Sequence, residues 1–131
     1  MIKTAVEMVT EAGAQFEQVT PAGGAEELAS GAAVLLDVRE GEEWRHGHIA
    51  GSVSAPRGLV EFFADPTSPR HIAALDPSRR VIVVCASGAR AALAASTLRA
   101  MGYQEVAVLA GGLKAWAEAG LPVDEHEYAG I

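Results

Sequence analysis

The strongest structural signal in the chain is a run of four β-branched apolar residues, Val81–Val84, that ends on Cys85. A continuous apolar run of this length is typical of a strand buried on both faces of a parallel sheet. Small residues follow, and an alanine-rich segment over 91–101 then leads to Gly102, where a glycine commonly ends a helix. Because open α/β sheets form their ligand crevices at the carboxyl ends of strands, this order places Cys85 at such a crevice.

The loop after Cys85 has the composition of an anion-binding nest. Ala86, Gly88 and Ala89 carry little or no side chain, so backbone amides can close around the sulfur. Amides at a helix start lack intrahelical partners, and the helix dipole favours negative charge there, so a cysteine in this position is favoured as the reactive thiolate. The competing interpretation is a buried cysteine that acts as a small core hydrophobe. The loop and the helix opening favour the reactive thiol.

Two polar residues of the same loop have more than one interpretation. Arg90 is a cation in the first turn of a helix, where the dipole opposes it, so another group must favour it there. It either attracts an anionic ligand or pairs with a carboxylate of Asp37 or Glu43. Ser87 either offers its hydroxyl to a ligand or caps the helix.

The stretch Cys85–Arg90 resembles the active-site loop of single-domain rhodaneses, a family of sulfurtransferases. The stretches 37–39, 43–44 and 47–52 resemble the family's D-V-R, E-[FYW] and G-H-I-x-G-A motifs, and 101–122 resembles its closing segment. The resemblance divides the chain into an N-terminal helical extension (1–15), a rhodanese-like domain (16–123) and a polar C-terminal tail (124–131) that is expected to fray.

Alternating strands and helices predict an α/β domain with a parallel sheet. The resemblance implies three α/β/α layers and five strands. The residue patterns predict strands at 16–19, 33–38, 53–56, 81–84 and 106–109. They predict helices at 1–12, 20–29, 40–46, 91–101 and 113–119.

The resemblance also implies a function. In a rhodanese-type enzyme the Cys85 thiolate would take the outer sulfur of a small anionic donor such as thiosulfate, form a persulfide, and pass the sulfur to cyanide or a thiol. Asp37 and Arg39 would support the loops around the site, and no cofactor or metal is implied. The substrate-binding loop would consist of Ala86, Ser87, Gly88, Ala89 and Arg90. The family often carries arginine directly after the cysteine, so Ala86 puts efficient use of thiosulfate in doubt.

Two further functions stay open at the level of sequence. A cysteine phosphatase or arsenate reductase would be expected to place arginine six positions after the cysteine, whereas Arg90 lies five positions after Cys85. The shorter loop suits one sulfur atom better than a tetrahedral oxyanion. The other alternative is a non-catalytic binding module, or a sulfur-relay partner whose acceptor is a protein.

Net charge and cysteine content limit which binding partners and which cellular compartment are expected. The formal net charge of −7 argues against nucleic acid as a partner, because phosphate binding requires a basic face. A single cysteine excludes an intramolecular disulfide, and the histidines lack metal-ligand spacing. No signal peptide or membrane span is evident, so we expect a soluble cytoplasmic protein that is a monomer or a homodimer.

Periodicity also predicts which side chains face the core. Trp116 is expected in the core, with Leu113 and Ala117 beside it, and His48 is expected to be a hydrogen-bonded structural residue. Arg57 could attract an anionic substrate, but its role stays open. Two helical faces are predicted to pack inward: one consists of Ile2, Ala5, Val6 and Val9, with dimerisation as its alternative role, and the other of Leu59, Phe62 and Phe63.

Overall fold

The computed structural model describes residues 1–124, in which strands and helices alternate along the chain. The α-helices are α1 (Ala5–Gly13), α2 (Pro21–Ser30), α3 (Gly41–Arg45), α4 (Val60–Ala64), α5 (Ala89–Met101) and α6 (Gly112–Glu118). The strands are β1 (Glu17–Val19), β2 (Val34–Asp37), β3 (Val53–Ser54), β4 (Val81–Val84) and β5 (Val106–Leu109). Each strand lies within its predicted range.

The five strands form one parallel sheet in the order β1-β5-β4-β2-β3. The central strand β4 is fully buried, as its run of β-branched residues predicts. Two apolar clusters fill the space on either side of the sheet, one with Val83 and Leu98 and the other with Ile82 and Trp116. The predicted α/β architecture with a five-stranded parallel sheet is therefore confirmed.

Helix α2 begins as the sequence predicts, with the Thr20 hydroxyl accepting a hydrogen bond from the Gly23 amide at 3.1 Å. Sequence alone offered no reason for a glycine at position 24, inside this helix. A Cβ at Gly24 would lie 2.9 Å from Leu109 Cδ1, so glycine is what lets α2 lie close on the sheet.

The predicted inward face of the N-terminal helix is wrong. Helix α1 begins only at Ala5, after a capping box between Thr4 and Glu7, so Ile2 precedes it. Both Ile2 and Val6 are exposed, and the buried residue of α1 is Ala12. The buried residues of α5 are mostly alanine, and a Cβ at Gly13 of α1 would lie 4.0 Å from Ala92 Cβ, so α1 packs on α5 through small side chains.

The predicted inward faces of α4 and α6 are each wrong at one residue. Phe62 is 54% exposed, whereas Val60 and Ala64 are buried and Phe63 packs against the core, so the buried face of α4 is rotated from the predicted one. In α6, Trp116 is buried as predicted, but Ala117 is exposed.

The segment after α6 returns to the carboxyl edge of the sheet. His48 and Asp124 pair as an isolated antiparallel bridge, with amide-to-carbonyl distances of 2.9 and 2.6 Å. The predicted fraying of the tail from Asp124 onwards is wrong for Asp124 itself, because this bridge holds it; residues 125–131 lie outside the described part. Over residues 1–124, no helix is long and apolar enough to cross a membrane.

Candidate active site

Cys85 lies directly after β4, at the carboxyl edge of the sheet, and only 1% of it is exposed. Its Sγ accepts hydrogen bonds from the amides of Gly88 at 3.0 Å and Ala91 at 3.4 Å. Gly88 has φ 116°, a left-handed conformation that favours glycine, and this bend turns the chain into α5. The sulfur is therefore buried and accepts hydrogen bonds from two backbone amides, the kind of donors that bind a negatively charged atom.

The start of α6 holds this loop from the other side. The amides of Leu113 and Lys114 donate to the carbonyls of Cys85 at 2.8 Å and Ala86 at 3.1 Å. A Cβ at Gly112 would lie 2.5 Å from the Cys85 carbonyl oxygen, and Gly112 has φ 63°, so only glycine fits there without a shift. The first amides of α6 thus fix the carbonyls of the loop, which leaves the loop amides directed at the sulfur.

Arg90 forms a bidentate ion pair with Glu43 of α3, with Nη1–Oε1 at 2.7 Å and Nη2–Oε2 at 3.0 Å. Of the alternatives left by the sequence, the structure therefore has the pair with Glu43. Hydrogen bonding to Arg90 lowers the pKa of Glu43 from 4.5 to about 2, although desolvation acts in the opposite direction. The same contact raises the pKa of Arg90, with smaller contributions from Glu43, Cys85 and Asp37 charges. The pair is more than one-third exposed at each side chain.

Asp37 and Arg39 form a second ion pair, which is buried. Arg39 Nη2 lies 2.8 Å from Asp37 Oδ2 and also donates to the Gly47 carbonyl at 2.7 Å. The Arg39 amide donates to Asp37 Oδ1 at 3.0 Å. This pair ties the end of β2 to the turn that follows α3, next to the loop of Cys85.

The remaining polar candidates are Ser87 and Arg57. Within residues 1–124, the hydrogen bonds to Cys85 Sγ come from the amides of Gly88 and Ala91 and not from these two side chains. Ser87 is exposed, and the N-cap of α5 is Gly88 without a side-chain cap, so Ser87 does not cap the helix. Arg57 donates to the Thr97 hydroxyl at 3.0 Å and pairs with Glu61, in a cavity walled partly by α1.

His48 is structural, as predicted. Its Nδ1 donates to the Trp44 carbonyl at 2.9 Å, and its ring stacks on the Trp44 indole at 3.7 Å between centroids. In residues 1–124, no three His, Cys, Asp or Glu side chains group so that they could hold a metal ion.

A groove of about 650 Å³ opens beside the loop, with Ala86 in its wall. Helix α3 and the turn after it supply one side through Glu43 and His46, and α6 supplies the other through Leu113 and Lys114. The sequence predicted a crevice at Cys85 but not that α6 forms one of its walls. The available signal was the Gly111–Gly112 turn, which follows β5 after Ala110. Because β5 lies beside β4 in the parallel sheet, the helix after β5 begins at the same edge as the Cys85 loop.

The arrangement suits covalent chemistry at a single sulfur atom. Cys85 Sγ accepts hydrogen bonds from the amides of Gly88 and Ala91, and the first amides of α5 have no intrahelical partner. Backbone donors in this position can stabilise charge on a sulfur atom during covalent catalysis.

Comparison with known proteins gives consistent matches across the chain. Residues 20–119 match the family model described as the rhodanese-like domain. Over 103 residues the chain is 33% identical to thiosulfate sulfurtransferase 18 of Arabidopsis thaliana, covering 70% of this chain and 72% of the plant protein. Over 82 residues it is 34% identical to YrkF of Bacillus subtilis, provisionally named a sulfur carrier protein, covering 63% of this chain but 40% of YrkF.

Among solved structures, a Rhodopseudomonas palustris protein is similar, with a TM-score of 0.85 and 37% sequence identity. The similarity covers 95% of this chain and 96% of that protein, which is described as of unknown function and a possible tyrosine phosphatase.

Proposed function

This chain belongs to the rhodanese-like domain family, and from that premise we propose that it is a sulfurtransferase that carries sulfane sulfur on Cys85. The observation that carries the proposal is the pair of amide hydrogen bonds to Sγ from Gly88 and Ala91. Backbone donors in this position can stabilise the charge of a terminal persulfide sulfur. The sulfurtransferase name of the plant relative supports the same reaction class.

The reaction proceeds in two half-steps. The Cys85 thiolate attacks the outer sulfur of thiosulfate, the S–S bond of the donor breaks, and sulfite leaves with the bonding electron pair. The resulting persulfide then gives its outer sulfur to cyanide or a thiol, and Cys85 recovers the electron pair as a thiolate. Sulfur is exchanged between two nucleophiles, so no external oxidant or reductant is needed.

Two features favour this reaction over phosphate ester hydrolysis. Arg90 is occupied by Glu43, so its guanidinium does not face the sulfur as a free oxyanion ligand. The loop is also one residue shorter than the spacing expected of a cysteine phosphatase. A sulfur-relay role with a protein acceptor shares the first half-step and differs only in the molecule that removes the sulfur.

The test is intact-mass spectrometry after incubation with thiosulfate, for the wild type and for Cys85→Ser. We expect the wild type alone to gain the mass of one sulfur atom and to lose it on addition of cyanide. If thiosulfate loads nothing, mercaptopyruvate and a cysteine desulfurase are the next donors. Failure of all three, together with hydrolysis of p-nitrophenyl phosphate that Cys85→Ser abolishes, would replace the proposal with a phosphatase.

A further inference from the structure

The groove between α3 and α6 is much larger than the proposed inorganic substrates require. We propose that Lys114, which lines this groove, is a specificity-determining residue that favours, among thiol acceptors, those combining an apolar chain with an anionic group. The inference rests on the proposed function, because it names the molecule that removes sulfur from Cys85.

The size and the walls of the groove favour an organic molecule. Its volume of about 650 Å³ lies within the range of about 300–1,000 Å³ that is usual for organic ligand sites. Leu113, Ala117 and Val123 give it an apolar side. Val123 is partly buried and packs against the apolar cluster that contains Trp116.

Among the charged side chains of residues 1–124 that line the groove, one cation is left for a ligand. Arg39 is buried in its pair with Asp37, and the carboxylate of Glu43 is bound by Arg90. Lys114 also lines the groove, is exposed, and has no ion-pair partner among residues 1–124. An ammonium group at the rim of an apolar groove favours a ligand that combines a chain with a carboxylate or sulfonate.

The position of Lys114 relative to the reacting sulfur supports the same conclusion. Its amide donates to the Ala86 carbonyl at 3.1 Å, so its backbone is fixed against the residue that follows Cys85. Ala86 itself lies in the wall of the groove. A thiol whose distal anion contacts Lys114 can therefore direct its sulfur towards the loop. Ala86, rather than an arginine, follows Cys85 there, so Lys114 supplies the cation.

The step is a transfer between two sulfur nucleophiles. The acceptor thiol gives its proton to the charged outer sulfur of the Cys85 persulfide, a bond forms between the two sulfur atoms, and the S–S bond to Sγ breaks. Cys85 leaves as a thiolate with the electron pair, and the acceptor becomes an organic persulfide. Charge and proton count are the same on both sides.

The kinetic test starts from enzyme that has been loaded with sulfur and freed of donor. Loss of sulfur from Cys85 is followed by intact mass at subsaturating 6-mercaptohexanoate or 6-mercaptohexanol, which differ in the distal group. We expect the carboxylate to discharge the wild type about fivefold faster, as for one partly exposed ion pair. The ratio should fall to about one in Lys114→Met and be retained in Lys114→Arg.

Lys3→Met is the matched control, because Lys3 and Lys114 are the two lysines of the chain and Lys3 pairs with Glu11 at the N-terminus. A ratio of one in the wild type, or an equal loss in Lys3→Met, would overturn the inference while leaving the sulfur-carrier function intact.

A binding measurement works even if Cys85 accepts no sulfur. Hexanoate and hexanol are titrated into the wild type while the amide NMR signals of Leu113, Ala117 and Val123 are followed. We expect hexanoate to shift these signals at lower concentration than hexanol, and this preference to disappear in Lys114→Met. Shifts that are equal for both compounds, or that lie elsewhere on the protein, would contradict the proposed site. Failure of sulfur loading with every donor would instead contradict the proposed function.

Discussion

Two arginine–carboxylate pairs lie at the same edge of the sheet and differ mainly in burial. The side chains of Asp37 and Arg39 are 2% and 7% exposed, whereas those of Glu43 and Arg90 are 37% and 38% exposed. Both have short contacts and both lie near Cys85. The difference shows that ion-pair geometry alone does not determine a pair's role: the buried pair cross-links two segments, while water can replace either partner of the exposed one.

The largest effect is expected at the buried pair. Asp37→Ala leaves the Arg39 guanidinium buried without its carboxylate, so we expect the free energy of unfolding to fall by about 3–5 kcal/mol. Urea denaturation of the purified variant measures this loss. The double variant Asp37→Leu with Arg39→Met should lose less than the single one, because it removes both charges. A single-variant loss below about 1 kcal/mol would mean that the two pairs do not differ as described.

A smaller effect is expected at the exposed pair. A double-mutant cycle over Glu43→Gln and Arg90→Met should give a coupling energy of about 1 kcal/mol or less, because water competes for both groups. The coupling should weaken further in 1 M salt, where the Debye length is about 3 Å. The Asp37–Arg39 coupling should stay nearly constant over the same salt range, and equal salt dependence of the two pairs would break the comparison.

The smallest effect is the acid dependence of the exposed pair. Because the pKa of Glu43 is lowered from 4.5 to about 2, its contribution to stability is present above pH 4.5 and is lost as pH falls towards 2. Between pH 4.5 and 2 the free energy of unfolding should fall less in Glu43→Gln than in the wild type. The difference between the two losses should be below about 1 kcal/mol, because solvent screens the exposed pair. Urea denaturation at closely spaced pH values checks this. Parallel curves for both proteins would show that Glu43 is not held ionised by Arg90.

The sequence predicts the sheet better than it predicts side-chain orientation on the surface helices. The run at Val81–Val84 can hardly form anything except a buried strand, and the structure has one there. The faces of α1 and α4 were predicted from apolar spacing, which assumes that large side chains point inward. Helix α1 instead packs through Ala12, because close approach to the alanine-rich α5 outweighs burial of Val6.

The site was partly predictable for a similar reason. Local features, such as small residues after Cys85 and a helix opening, follow from neighbouring residues. Contacts between distant segments do not, so the choice of Glu43 as the partner of Arg90 stayed open. The attachment of the loop to Leu113 and Lys114 depends on the neighbouring positions of β4 and β5 in the sheet.

The burial of the only cysteine has a consequence for oxidative damage. A thiol can be oxidised irreversibly to sulfinic and sulfonic acids, whereas persulfidation is a reversible cap. Because only 1% of Cys85 is exposed, we expect an oxidant to meet the outer sulfur of the proposed persulfide before Sγ. Reductive cleavage of the S–S bond would then remove the damaged atom and restore Cys85. The chain has no second cysteine to form a protective disulfide. In the sulfur-loaded form, the outer sulfur atom would therefore protect Cys85 from irreversible oxidation.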